Sequence, residues 1–161
     1  MKLVFLQILV FFSFTFSMAQ PISKCSVAEL ETLVSKSNDE LLVINFWATF
    51  CTPCVEELPH FIKAGNSYKD KKVRLILISV DAKEMYPKKI IAFAKRHHLN
   101  AELKWLNETD ANYFCPAVDS SWSGSIPATL FINKKTGKRS FVESEMSSEE
   151  LIEKITEMLG M

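Results

Sequence analysis

Short apolar runs alternate along the chain with segments of mixed character. Three runs, residues 41–47, 73–80 and 128–133, are continuous and rich in β-branched side chains, which predicts buried strands. A weaker run at 103–105 predicts a short fourth strand. A glycine-containing turn after 128–133 predicts a hairpin into another strand near 139–142.

Helical segments are expected between these strands. Ser26 with Glu29, and Ser147 with Glu150, have the spacing of capping boxes, so each pair predicts the start of a helix. The other expected helices cover residues 51–68, 87–98 and 111–117. Alternating strands and helices imply parallel strands with helices on both faces of the sheet, and the hairpin adds antiparallel strands. The expected fold class is therefore α/β, with a central mixed β-sheet.

The first 19 residues are predicted to be separate from the fold. Lys2 precedes an almost unbroken apolar run, and Ser17 and Ala19 place small residues before Gln20. This is the layout of a secretory signal peptide, and the run is shorter than the roughly 20 apolar residues of a membrane-spanning helix. We expect a signal peptide at 1–19 and a periplasmic or secreted protein, with an uncleaved membrane anchor as the alternative.

Composition and charge narrow the class of protein. The chain has 161 residues, of which 48% are hydrophobic and 24% charged, as in an ordinary globular protein. The 19 Lys and Arg residues balance the 19 Asp and Glu residues, so there is no broad electrostatic case for a nucleic-acid partner. The length suits one domain, which we place at residues 20–161.

Cys51 and Cys54 lie where a buried strand gives way to a helix. The first thiol would lie at the helix N-terminus, where free N–H groups and the helix dipole stabilise a thiolate. A thiolate is the species that attacks a disulfide. Pro53 suits the first helical turn, which needs no amide hydrogen there. The spacing predicts Cys51 as the exposed nucleophile and Cys54 as the shielded resolving thiol.

Half of a zinc site and a structural disulfide are the other interpretations of this pair. A tetrahedral zinc site needs two more ligands at suitable spacing, and no second paired motif is present. The remaining Cys and His residues are Cys25, Cys115, His60, His97 and His98. We therefore expect no metal. Cys25 and Cys115 could bridge each other or remain buried thiols, and the sequence leaves both open.

Two segments carry a family resemblance. Residues 45–59, with the sequence NFWATFCTPCVEELP, resemble the active-site segment of thioredoxin-like proteins, in particular the extracytoplasmic TlpA and ResA branch. Residues 124–129, with the sequence GSIPAT, resemble the second family signature, a loop with a cis proline just before a strand. The resemblance implies a thioredoxin-like fold and a redox-active Cys51–Cys54 pair.

The resemblance also implies roles around that pair. Pro127 matches the cis proline, and Ile126 would offer its backbone N–H and C=O to an extended substrate. Phe50 and Pro53, which flank the first cysteine, would contact the same substrate. Glu57 matches a carboxylate that could move a proton to or from the second cysteine. A solvated carboxylate that merely suits the helix dipole is the alternative for Glu57.

The chain departs from the family pattern at two positions. Asn45 stands where cytosolic thioredoxins have a buried Asp, and an amide cannot act as a general base. Phe50 stands where a Trp usually precedes the first cysteine, so the apolar surface is kept and the indole donor is lost.

These observations predict a thiol–disulfide oxidoreductase that acts on protein cysteines without a cofactor. The resemblance implies a reductant that receives electrons from a membrane donor, and we expect the protein to be a monomer. A peroxidase of the same fold is one alternative, although peroxiredoxins need Thr where this chain has Ala48. A Cu(I) carrier is another, although such carriers use a wider Cys spacing and a distant His.

Overall fold

The computed structural model describes residues 21–37 and 39–161. The predicted signal peptide at 1–19 lies outside these residues. Six strands are present: β1 Ser23–Cys25, β2 Leu41–Trp47, β3 Val73–Ser79, β4 Glu102–Leu106, β5 Ala128–Asn133 and β6 Lys138–Val142. Five α-helices accompany them: α1 Val27–Lys36, α2 Thr52–Ser67, α3 Lys88–Arg96, α4 Ala111–Val118 and α5 Ser148–Leu159.

The strands form one mixed sheet in the order β1-β4-β3-β2-β5-β6. The β1–β4, β4–β3 and β3–β2 pairs are parallel, whereas β2–β5 and β5–β6 are antiparallel. The predicted α/β class and mixed sheet are confirmed. β1 was not predicted, because its three residues carry no apolar pattern and are ordered by pairing with Lys104–Leu106.

Helices cover both faces of the sheet, as expected. The chain moves from β2 to β3 to β4 in one direction, so right-handed crossovers place α2 and α3 on the same face. The crossover from β1 to β2 runs the opposite way and places α1 on the other face. Accordingly, Leu42 and Ile44 pack in one core with α1 and α4, whereas Leu41 and Val43 face a second core with α2 and α5.

The helix starts follow the sequence signals. Both capping boxes are formed, with Ser26 and Ser147 accepting from the backbone N–H of Glu29 and Glu150.

No helix in the two described ranges is long and apolar enough to cross a bilayer. The fold brings the carboxyl end of β2, at the centre of the sheet, directly to the start of α2 and the cysteine pair.

Candidate active site

The turn between β2 and α2 is fixed by a buried carboxylate. Asp81, just beyond the end of β3, is only 2% exposed. Its side chain accepts hydrogen bonds from the Thr49 N–H at 3.1 Å and the Thr49 hydroxyl at 2.7 Å. The Ser79 hydroxyl donates to the same carboxylate at 2.7 Å. Asp81 therefore holds the turn two residues before Cys51, a contact that the sequence analysis missed.

Cys51 and Cys54 form a disulfide at the N-terminus of α2, with Cα atoms 5.3 Å apart. Cys51 is the N-cap residue, and its Sγ accepts a hydrogen bond from the Cys54 N–H at 3.3 Å. Cys51 retains 7% exposure, whereas Cys54 has none. The sulfur of Cys51 is thus the one that an external group reaches, and it lies where a helix end favours negative charge.

The loop before β5 lies against the disulfide. The Ile126–Pro127 peptide bond is cis, as the resemblance implied. The Cys51 Sγ lies 3.7 Å from the Ile126 carbonyl oxygen. Pro127 is buried and Ile126 is half-buried. Pro53 is exposed in the first turn of α2, and Phe50, the residue before Cys51, is 76% exposed.

Glu57 lies one helical turn after Cys54 and is fully buried. The alternative of a solvated carboxylate is therefore wrong. Its Oε1 accepts a hydrogen bond from Asn45 Nδ2 and its Oε2 accepts one from the Met146 N–H, both at 2.8 Å. Burial raises the pKa of Glu57 from its ordinary 4.5 to about 7, and the two hydrogen bonds oppose that rise.

Asn45 connects this carboxyl group to the sheet. Its Nδ2 also donates to Thr129 Oγ1 at 3.1 Å, across the β2–β5 pair. Its Oδ1 is buried and has no hydrogen-bond partner in residues 21–37 and 39–161. Asn45, Glu57 and Thr129 thus form a buried polar group on the α2 face of an otherwise apolar core. A carboxyl group with a raised pKa beside a redox pair can exchange protons near neutral pH.

Comparison with known proteins decides the family. The model of the family described as AhpC/TSA matches residues 20–138. The chain belongs to the AhpC/TSA family. It is 29% identical over 119 residues to thiol-disulfide oxidoreductase ResA of Halalkalibacterium halodurans, covering 72% of this chain and 60% of that protein. It is 27% identical to ResA of Oceanobacillus iheyensis, covering 78% and 59%. The chain thus spans about three fifths of the length of these relatives.

Solved structures place this AhpC/TSA-family chain in the thioredoxin-like fold. A thiol:disulfide interchange protein of the thioredoxin family from Chlorobium tepidum superposes with a TM-score of 0.64 at 16% identity, covering 78% of this chain and 84% of that one. StoA from Bacillus subtilis gives 0.56 at 20% identity, covering 72% and 82%. A secreted disulfide oxidoreductase from Mycobacterium tuberculosis gives 0.58 at 20% identity, covering 76% and 85%.

The other two cysteines of this family member are free thiols. Cys25 and Cys115 are both buried in the core on the α1 face. Burial raises the pKa of Cys25 to about 11 and also raises the pKa of Cys115. A bridge between them, one of the two options that the sequence left open, is therefore not formed. Both residues pack as small apolar side chains, and neither carries thiolate at neutral pH.

Potential metal ligands are dispersed in this AhpC/TSA-family chain. Among residues 21–37 and 39–161, no three His, Cys, Asp or Glu side chains are grouped so as to hold a metal ion. The arrangement at the end of β2 instead combines one accessible sulfur, one shielded sulfur and one buried carboxyl group. These are the groups that two-step thiol–disulfide exchange uses.

Proposed function

We propose that this protein is a thiol–disulfide oxidoreductase that exchanges two electrons with protein cysteines through Cys51 and Cys54. The observation that carries the proposal is the unequal exposure of two bonded cysteines at a helix N-terminus, 7% for the residue Cys51 and 0% for Cys54. The relatives named thiol-disulfide oxidoreductase ResA support it. No bound cofactor is required, since both electrons are carried by sulfur.

The first step uses the reduced pair. The Cys51 thiolate, stabilised by the Cys54 N–H and the helix N-terminus, attacks one sulfur of a substrate disulfide. An S–S bond forms between Cys51 and the substrate while the substrate's own S–S bond breaks. The second substrate sulfur leaves as a thiolate and takes a proton from water.

The second step regenerates the disulfide. Cys54 attacks the Cys51 sulfur, the Cys51–Cys54 bond forms, and the remaining substrate sulfur leaves as a thiolate. Cys54 is fully buried, so its thiol must lose a proton where water is excluded. Glu57, one turn away and with a pKa of about 7, is proposed as the base that accepts this proton. In total two electrons pass to the substrate, and its two sulfurs leave as thiolates that take their protons from water. The Cys54 proton is held by Glu57, which later releases it to solvent.

The loop before β5 is proposed as the docking site for an extended substrate. The carbonyl oxygen of Ile126 lies beside Cys51 Sγ, so backbone pairing there would place a substrate sulfur within reach. Pro127 is buried next to Ile126. Phe50 and Pro53, close to Cys51 along the chain, offer exposed apolar surface. The expected substrate is a chain segment with apolar side chains near its cysteine.

We propose that the protein works outside the cytoplasm as a monomeric reductant fed by a membrane donor. The signal-peptide pattern at residues 1–19 supports this compartment. Free thiols oxidise there, so a protein that reduces disulfides needs a continuous supply of electrons. A structural neighbour from Mycobacterium tuberculosis is described as secreted.

The two alternative functions have less support. A peroxidase of this fold needs Thr where the chain has Ala48, and the ResA relatives are not named as peroxidases. A Cu(I) carrier could use the two thiolates, but the grouping of further ligands that would favour it is missing from the part of the chain that the structure describes.

Trapping of mixed disulfides tests the proposal directly. In the full chain, Cys54→Ser is expected to accumulate substrate adducts through Cys51, whereas Cys51→Ser is expected to form none and to lose exchange activity. Cys25→Ala is the matched control, because it removes a thiol that is buried in the core on the α1 face. Full activity in Cys51→Ser, or no adducts with Cys54→Ser, would contradict the proposal.

A further inference from the structure

The backbone beside Cys51 belongs to a loop without regular structure. Residues 119–127 connect α4 to β5, and the sheet ladder begins only at Ala128. Gly124 within this loop has φ +100°, a conformation that side-chain-bearing residues rarely adopt. The position of Ile126 against the Cys51 sulfur therefore depends on side chains that hold the loop in place.

One carboxylate provides most of that support. Glu143, in the first position after β6, accepts hydrogen bonds from the Ser123 N–H at 3.0 Å and the Ser125 N–H at 2.8 Å. The Ser123 hydroxyl donates to the same carboxylate at 2.5 Å. The two backbone donors lie on either side of Gly124, so a single anion fixes the loop at the residue with the greatest conformational freedom. Hydrogen bonds to a charged acceptor are about twice as strong as neutral ones.

Trp122 supplies a second support for the same loop. Its indole N–H donates to the Ser125 carbonyl oxygen at 2.8 Å. The indole ring packs against Phe46 with centroids 4.7 Å apart, and against Phe141 of β6 at 5.6 Å. Trp122 is buried, which makes it a packing residue rather than part of a substrate surface. Trp122 therefore bonds the Ser125 carbonyl oxygen, whereas the Ser123 and Ser125 N–H groups donate to Glu143.

The backbone before and after Glu143 is anchored by hydrogen bonds. Val142 precedes it and is paired with Thr129 in the β5–β6 ladder. Three residues later, the Met146 N–H donates to the buried Glu57, and Ser147 caps α5. The carboxylate therefore projects from a segment anchored at both ends onto a loop without regular secondary structure. The same segment contacts the proposed site at two points, beside Cys51 through the loop and behind Cys54 through Glu57.

We propose that Glu143 is a positioning residue that holds the Ser123–Pro127 loop in the shape that docks a substrate peptide at Ile126. This inference rests on the proposed exchange function. The proposal predicts a larger effect on peptide substrates than on small disulfides. Loss of Glu143 weakens the docking of an extended peptide, which needs the loop, more than it affects a small disulfide that needs only the Cys51 sulfur. A displacement of the order of 1 Å at a docking edge is enough to lower a rate substantially.

The test follows the single-turnover oxidation of the reduced full chain by a cysteine-containing peptide disulfide and by the small aromatic disulfide DTNB. Here KM is the disulfide concentration at half-maximal rate and kcat the maximal rate constant of that oxidation. Glu143→Ala is expected to raise the KM for the peptide about tenfold, with kcat changed less than about twofold. The ratio of kcat/KM for peptide to kcat/KM for DTNB is expected to fall about tenfold. Glu143→Gln keeps one oxygen acceptor and is expected to recover most of that loss. Glu153→Gln is the control, because Glu153 is exposed on α5.

The outcomes separate this inference from the proposed function. If the wild-type protein reacts with neither disulfide, the exchange function itself is wrong. If the wild-type protein reacts with both and Glu143→Ala leaves the peptide KM and the ratio unchanged, the positioning role is wrong. An equal fall in kcat/KM with both disulfides also overturns the positioning role, since it would reflect damage to the cysteine pair rather than to docking.

Discussion

The side-chain amide of Asn45 donates a 2.8 Å hydrogen bond to Glu57 Oε1, and both side chains are fully buried. The amide stabilises the ionised carboxylate, while burial favours the protonated form. The balance leaves the pKa of Glu57 at about 7. The carboxyl group is therefore poised to change its charge near neutral pH, behind the cysteine that must lose a proton.

Glu57→Gln is expected to change how stability depends on pH. The pKa of Glu57 is about 7 in the folded protein and near 4.5 when unfolded, so the folded state binds this proton more tightly. That stabilisation is complete below about pH 4.5 and is lost as the pH rises through about 7. Between about pH 4 and pH 8, the free energy of unfolding of the oxidised wild type should fall by about 3 kcal/mol relative to Glu57→Gln. Denaturant titrations of both proteins at both pH values measure this change. If the wild type and Glu57→Gln differ by the same unfolding free energy at both pH values, the raised pKa of Glu57 is contradicted.

Asn45→Asp is expected to destabilise the protein selectively at high pH. The substitution places a second carboxyl group about 3 Å from Glu57, and two such groups cannot both ionise cheaply. The oxidised variant should lose about 2 kcal/mol or more of unfolding free energy at about pH 8, and much less at about pH 5. Adding Glu57→Gln should remove most of this loss. A deficit that is equal at both pH values would indicate a packing defect instead.

Asp81→Asn tests the turn before Cys51. The amide can replace only part of the carboxylate that accepts from Thr49 and Ser79, so a buried donor loses its partner. The expected cost is about 1–3 kcal/mol of unfolding free energy, together with slower reaction of Cys51 with DTNB. Asp70→Asn is the matched control, because Asp70 is exposed. Wild-type stability and rate in Asp81→Asn would show that the turn does not depend on this carboxylate.

Phe50→Ala separates substrate contact from stability. Phe50 is 76% exposed, so its removal should change the unfolding free energy by no more than about 0.5 kcal/mol. The kcat/KM for a peptide disulfide should nevertheless fall about fivefold, because an apolar contact beside Cys51 is lost. Ile152→Ala, which removes an apolar side chain that is 42% exposed on α5, should leave kcat/KM unchanged. If both substitutions change kcat/KM for the peptide disulfide equally, Phe50 has no docking role.

The sequence was sufficient where local patterns determine structure. The apolar runs at β2, β3 and β5 and the two capping boxes predicted those elements, and the cysteine spacing located the pair at the start of α2. It was insufficient where distant residues meet. The sequence left Glu57 open between a proton-transfer carboxylate and a solvated one, because the Met146 N–H that contacts it lies 89 residues away. Asp81 carries no local sequence signal of its role, because its partner Thr49 lies 32 residues earlier.

The reduction potential of the Cys51–Cys54 pair tests the central claim most directly. The measurement uses redox buffers and thiol trapping on the full chain carrying Cys25→Ala and Cys115→Ala, so that only this pair responds. We expect one reversible two-electron transition at a thioredoxin-like value, about −270 mV. A value near about −120 mV would keep the exchange chemistry but contradict a reducing role. A pair that shows no reversible transition, or stays oxidised well below about −300 mV as a structural disulfide does, would contradict the oxidoreductase account.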